Sequence, residues 1–205
     1  MLPNTPQTQE LLDQVRSGDA RAAERLLDQH REPVRRMIGL RLDPAIAARL
    51  DASDVVQEVL LEASRRLDNY LREPNMPFHL WLRHIAKDHI IDAHRRHRQA
   101  QRRGVDRERP AVPAALADHS SLEMAAQFID QELTPASAAM QRELQERLHD
   151  AIAQLEDDDR EIILMRHFEQ MSNQDVAALH DLTEAAASMR HLRALRRLRE
   201  LLKPE

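Results

Sequence analysis

There is no cysteine anywhere in the 205-residue chain. That excludes disulfides, thiol nucleophiles and Cys-ligated zinc, and it is compatible with a reducing cytoplasm. Aromatic side chains are scarce: one Trp, one Tyr and three Phe. Any core must therefore be aliphatic and thin, which favours small helical bundles over one deep core. Only three glycines accompany abundant Ala, Leu, Arg, Glu and Gln, a composition of helical character. No stretch approaches roughly 18 apolar residues, so no membrane insertion is expected. The opening MLPNTPQTQELLDQ has neither a basic n-region nor an apolar h-region, so it does not read as a secretory signal, and the expected location is cytoplasmic. Gly-x-Ser-x-Gly, P-loop and Cys-His arrangements are also missing, which argues against an enzyme.

What is present is charge, and it is segregated. The formal net charge is -5. Yet Trp81 to Pro110 carries nine Lys/Arg against four Asp/Glu, and Arg190 to Glu205 carries six against two. Between them, Gln141 to Glu161 holds eight acids and three bases. Two basic patches separated by acidic segments suggest two anion-binding faces.

The hydrophobic pattern is helical throughout, with no convincing alternating strand. A short helix over Gln9 to Arg16 stops at Ser17-Gly18-Asp19. A second runs to about His30, and Pro33 opens a third that ends near Leu42, before the break at Asp43-Pro44. Ser53 or Asp51 caps a long helix with Val55, Val56, Val59, Leu60, Ala63 and Leu67 on one face. REPNMP is a loop, and Phe78 to about Arg98 is a further helix. Residues 99–133 hold Pro110 and Pro113, with Pro135 just beyond, and a basic QRRGVDRER run, and lack sustained periodicity until a capping-box pattern at Ser120 to Glu123. They read as a flexible linker between two helical domains. Thr134-Pro135 then caps a helix bearing Met140, Leu144, Leu148, Ile152 and Leu155. Asp158 with Glu161 and Ser172 with Asp175 read as further capping boxes. The expected architecture is all-α: two small helical domains, residues 1–98 and 134–205, joined by the linker 99–133.

The end of the chain is the most informative part. A helix of about eight residues from Asn173, a break at Asp181-Leu182, and a long helix capped by Thr183 have helix-turn-helix spacing. Asp181 occupies the turn position and tolerates a left-handed backbone better than most residues. On a helical wheel, Ser188, His191, Leu192, Leu195, Leu198 and Leu202 share one side, read as the core. Ala186, Met189, Arg190, Arg193 and Arg197 share the other. Alanines 185 to 187 leave room for the backbone to approach a groove. The competing reading of the arginine stripe is a solvated polar face.

Two segments together resemble a known family. DASDVVQEVLLEASRRLDNY followed by FHLWLRHIAKDHIIDAHRRHR is similar to the second conserved region of bacterial RNA polymerase sigma factors, with its D-x-x-Q-E core and W-L-x-x-I-A helix. LEDDDREIILMRHFEQMSNQDVAALHDLTEAAASMRHLRALRRLRE is similar to their fourth region. The order and length match the small extracytoplasmic-function subgroup, and the resemblance covers roughly Asp19 to Leu202. It implies a factor that binds core RNA polymerase and directs promoter-specific initiation, with catalysis left to the polymerase and no cofactor.

Site residues follow from the resemblance. It implies that Asp54, Gln57 and Glu58, at i, i+3 and i+4, dock on the polymerase clamp helices; acids near a helix start also suit the macrodipole alone. The loop 68–77 would capture a flipped base of the -10 element, with Asn69 or Asn75 as the polar contact. Arg83, Lys87, His94 and Arg98 are spaced to share a phosphate-facing side, with Arg95 beside them. Trp81 lies on the flank bearing Ile85 and reads as core packing rather than a stacking platform. At the -35 element the resemblance implies contacts from Glu184, Ala186, Ser188, Arg190, Arg193 and Arg197, with Arg190 at a base or its neighbouring phosphate and Arg197 on backbone. Ser188 falls near the core side of the wheel. The linker would permit an anti-sigma partner to hold the two domains.

Eleven histidines raise a metal hypothesis, but His79, His84, His89 and His94 turn by about 140° per step and cannot surround one ion. His94 and His97 alone make a poor site, so no metal is expected. Two other function classes compete: a stand-alone helix-turn-helix repressor that binds a palindrome without polymerase, and a helical adaptor without a nucleic-acid role. The D-x-x-Q-E helix argues against both.

Overall fold

The computed structural model describes residues 5–42, 46, 50–101 and 138–203, with no strand among them. The chain divides into two compact units, residues 1–111 and 112–205. The all-α expectation holds.

The N-terminal unit contains α1 (Pro6–Arg16), α2 (Ala20–Gln29), α3 (Arg31–Arg41), α4 (Ala52–Arg72) and α5 (Phe78–Gln101). Three of these starts, those of α1, α2 and α4, have a side-chain cap. Thr5 caps α1, accepting from the Thr8 amide, and Pro6 sits where its missing N–H costs nothing. Gly18, at φ +94°, reverses the chain after α1, and Asp19 caps α2. Helix α3 begins at Arg31, two residues before Pro33, and the proline is tolerated because first-turn amides have no intrahelical acceptor. Asp51, not Ser53, caps α4: its carboxylate accepts from the Ser53 amide at 2.8 Å.

The expected apolar face of α4, from Val55 to Leu67, is buried in full, and Tyr70 extends it. From α5, Phe78, Leu82, Ile85, Ala86, Ile90 and Ala93 enter the same core, which Val34, Met37 and Ile38 of α3 complete. Truncating a side chain such as Met37 or Leu82 to alanine in so thin a core costs about 2–5 kcal/mol. Helix α5 runs to Gln101, past the start expected for the linker. The rest of that linker, with the Ser120 and Thr134 caps and the Asp43-Pro44 break, lies outside the described residues.

The C-terminal unit contains α6 (Ala138–Ala153), α7 (Asp157–Ile163), a wide π turn over Leu164–Phe168, α8 (Asn173–Leu179) and α9 (Glu184–Leu202). Leu144, Leu148, Ile152 and Leu155 are buried as expected, whereas Met140 is exposed. The Asp158–Glu161 capping box does not form. Helix α7 starts two residues earlier, after Glu156, and Asp157 to Asp159 all sit in its first turn, where acids complement the macrodipole. Arg160 then closes the end of α6, donating to the carbonyls of Ile152, Ala153 and Leu155. The expected Ser172–Asp175 box is present in both directions.

Candidate nucleic-acid interface

In the C-terminal unit, α8 and α9 form the helix-turn-helix. Asp181 takes φ +54°, the left-handed turn conformation expected of it. Thr183 caps α9 through the Ala186 amide at 3.1 Å, and the Asn173 side chain donates to the Glu184 carbonyl at 2.8 Å. The two helix starts are therefore tied to each other as well as to the turn.

The wheel of α9 needs correcting by part of a turn. Ala187, Ala194, Leu198 and Leu202 are buried, while Ser188 and Leu192 are exposed. Small residues define the contact line because α9 packs against α6, α7 and α8, and alanine lets helix axes approach closely. Ala187 thus serves the core, leaving Ala185 and Ala186 outside. Glu184, Ala186, Ser188, Arg193 and Arg197 are all exposed. Arg190 is not: it is half-buried, and its Nη1 donates to Asp158 Oδ2 at 3.0 Å. Arg197 pairs with Glu200 along its own helix at 3.2 Å. Behind α9, His191 meets His167 of the π turn with Nε2 atoms 2.9 Å apart. Burial lowers both imidazoles, His167 to about 4, with His191 and Arg166 adding to the effect at His167.

In the N-terminal unit, Asp54, Gln57 and Glu58 project from one exposed side of α4. Glu58 is not a bare acid. It accepts from Arg96 at 3.1 Å and faces His89 Nδ1 at 3.4 Å, both on α5. The Arg96 hydrogen bond holds its carboxyl below the usual range. Sequence reasoning missed Arg96 because 38 residues separate it from Glu58.

The loop between α4 and α5 rests on an aromatic cluster. Tyr70 stacks on Trp81 with centroids 4.8 Å apart, and Phe78 meets Trp81 at 5.5 Å and His30 at 5.1 Å. Tyr70 donates its hydroxyl to the Met76 carbonyl at 2.9 Å, pinning the loop. Asn69 and Asn75 are both exposed beside it. Trp81 is partly buried in this cluster, in keeping with packing.

The proposed phosphate face of α5 divides. Lys87 and Arg95 are exposed, Arg95 pairing with Asp92 at 3.1 Å. Arg83 is buried, its Nη1 3.7 Å from Met37 Sδ, because residue 83 points at α3. His94 is half-buried, with Nε2 3.1 Å from the Arg41 carbonyl. Both act as struts to α3 in this arrangement. The side chain of Arg98 lies outside the described residues. Among the described residues, no three His, Asp or Glu side chains converge as metal ligands, and no helix is long and apolar enough to cross a membrane.

The described chain thus pairs a helix-turn-helix unit with a preceding helical unit that carries an exposed acidic-amide face on α4. Comparison with known proteins makes this specific. Residues 26–100 match sigma-70 region 2, and residues 145–198 match sigma-70 region 4. RNA polymerase sigma factor CarQ of Myxococcus xanthus is 32% identical over 153 residues, 74% of each protein. RNA polymerase sigma-H factor of Pseudomonas aeruginosa is 27% identical over 97% of this chain and 95% of its own. The extracytoplasmic-function sigma-E factor of Haemophilus influenzae is 26% identical over 96% and 95%. In fold, the chain is similar to CnrH, solved with the cytosolic domain of CnrY, at TM-score 0.60 and 23% identity over 96% and 97% of the two chains. The chain belongs to the extracytoplasmic-function subgroup of the sigma-70 family of RNA polymerase sigma factors.

Proposed function

We propose that this chain docks on the clamp helices of core RNA polymerase through Asp54, Gln57 and Glu58 and directs initiation by reading both promoter elements. The loop bearing Asn69 and Asn75, with Lys87 and Arg95, serves the -10 element. Helix α9, with Glu184, Ala186, Ser188, Arg193 and Arg197 outward, serves the -35 element. The observation that carries the reading is the exposed trio on α4 in the unit that matches region 2. Carboxylates at fixed helical positions accept paired arginine hydrogen bonds, which suits a basic coiled partner.

Transcript chemistry then belongs to the polymerase, so this chain is not itself an enzyme, and its working compartment is the cytoplasm. The acidic net charge suppresses free DNA binding, leaving the two basic faces to act once polymerase supplies the rest of the affinity. The working domains are 1–98 and 134–205, joined through 99–133. An anti-sigma protein is a further partner: CnrH was solved with the cytosolic domain of CnrY, and the Bartonella quintana sigma factor RpoE with the anti-sigma factor NepR, at TM-score 0.51 over 84% of this chain.

Co-elution with core RNA polymerase tests the reading, wild type beside Gln57→Ala/Glu58→Ala. A complex formed by the wild type and weakened at least about tenfold in the variant is expected, since truncating paired charge contacts costs a few kcal/mol. No complex with a folded wild-type chain would favour a stand-alone repressor.

A further inference from the structure

Met189 is 55% exposed, the most open of the large apolar side chains among the described residues, and Leu192 beside it is 45% exposed. A lone exposed apolar residue is ordinary on a protein surface. The setting of Met189 is not ordinary. Ala185, Met189 and Arg193 follow one another at i, i+4 and i+8 along α9, and all three are exposed. Ala186 and Ser188 flank this line and are also outside, while Arg190 is drawn back onto Asp158. The first two turns of α9 therefore present a small, uncharged surface after Glu184, and the exposed cations Arg193, Arg196, Arg197 and Arg199 begin only beyond it.

A helix-turn-helix places the N-terminal half of its second helix against base edges in the major groove. There, arginines further along the helix suit the phosphate walls. Because a thioether is at most a weak acceptor, the partner that best suits its apolar chain on a base-pair edge is the C5-methyl of thymine. We propose that Met189 determines specificity in the -35 element by packing on a thymine methyl, with Ala185 leaving space for the approach. This rests on the reading that α9 enters the -35 major groove. Methionine suits the task because its flexible, polarisable side chain fits an apolar knob without exact geometry.

The experiment uses holoenzyme reconstituted from the full chain and core polymerase. A -35 sequence is first selected from random DNA by wild-type holoenzyme. Each of its thymines, on both strands, is then replaced singly by uracil, which removes only the methyl group. One replacement should weaken binding about three- to fivefold, the value of one buried methyl. Met189→Ala should lose a similar factor on the thymine promoter and be indifferent to that uracil, while Met189→Leu keeps part of the preference. Circular dichroism checks that the variants fold, as an exposed position requires.

A selected -35 sequence with no uracil-sensitive position, or sensitivity that persists in Met189→Ala, overturns the Met189 assignment and leaves the proposed function standing. Loss of transcription in Met189→Ala with unchanged promoter binding also overturns it, and points to a protein contact instead. Failure of the holoenzyme to select any -35 sequence overturns both the assignment and the reading beneath it.

Discussion

Asp158 on α7 and Arg190 on α9 form a 3.0 Å ion pair between residues 32 apart in sequence. The arginine side chain is 29% exposed and the aspartate 69% exposed, so the pair is half in water. Such a pair contributes little to stability, about 0–1 kcal/mol, but it decides where the guanidinium points. The guanidinium is thereby drawn toward its own domain.

Asp158→Asn should therefore release Arg190 toward phosphate. Holoenzyme carrying this variant is expected to bind DNA without a -35 element severalfold more tightly, with a steeper salt dependence by up to about one counterion. Unchanged affinity and salt slope would mean that Arg190 has no anion within reach even when freed. Thermal stability should fall by no more than about 1 kcal/mol.

Arg96 is expected to orient Glu58 for polymerase. Arg96→Ala should weaken polymerase binding severalfold, and Glu58→Gln/Arg96→Ala should be little worse than Glu58→Gln alone, because the two residues act as one unit. Fully additive losses in the binding cycle would show instead that Arg96 contacts polymerase or DNA independently.

His30 is expected to make the N-terminal unit sensitive to acid. It is fully buried, neither ring nitrogen has a hydrogen-bond partner among the described residues, and burial lowers its pKa to about 4, with His79 adding to the effect. The unfolded imidazole takes up its proton near 6.5, the folded one only near 4. Stability from this group is complete above about pH 6.5 and declines as pH falls toward about 4, by roughly 3 kcal/mol in all. Trp81, the sole tryptophan, lies beside the Phe78 ring that His30 touches, so its fluorescence reports this unit. Urea midpoints followed by Trp81 should drop from pH 7 to pH 5 in the wild type. In His30→Leu the drop should be clearly smaller; an equal drop would rule out His30 as the source.

The turn of the helix-turn-helix carries a correctable cost. Asp181 is non-glycine at φ +54°, where glycine meets no Cβ penalty. Asp181→Gly is expected to stabilise the C-terminal unit by about 0.5–1 kcal/mol, read as a small rise in its melting temperature by circular dichroism. A fall would show that the aspartate side chain contributes more than its backbone costs.

Particular residues show how far the sequence could be read. The face of α4 from Val55 to Leu67, the Ser172–Asp175 box, the Thr183 cap and the turn at Asp181 were all legible, because each depends on neighbours within four residues. Arg83 was not. Its spacing with Lys87 suggests a shared outer side, yet α3 lies against that part of α5 and takes the arginine inward. Ser188 and Leu192 failed for a related reason. A wheel weighted by bulk puts Leu192 inside, whereas close packing of α9 prefers Ala187 and Ala194.

Helical class, the order of elements, the turn chemistry and the likeness to regions 2 and 4 of the sigma family were determined by the sequence itself. Short-range periodicity, capping and motif spacing are written along the chain. Which polar side chains are engaged internally was decided only by tertiary structure: Arg96 on Glu58, Arg190 on Asp158, and His94 on the Arg41 carbonyl. Those partners stand between 32 and 53 residues apart. A linear pattern records that a side chain is charged, but its availability to polymerase or DNA depends on which other helix folds against it.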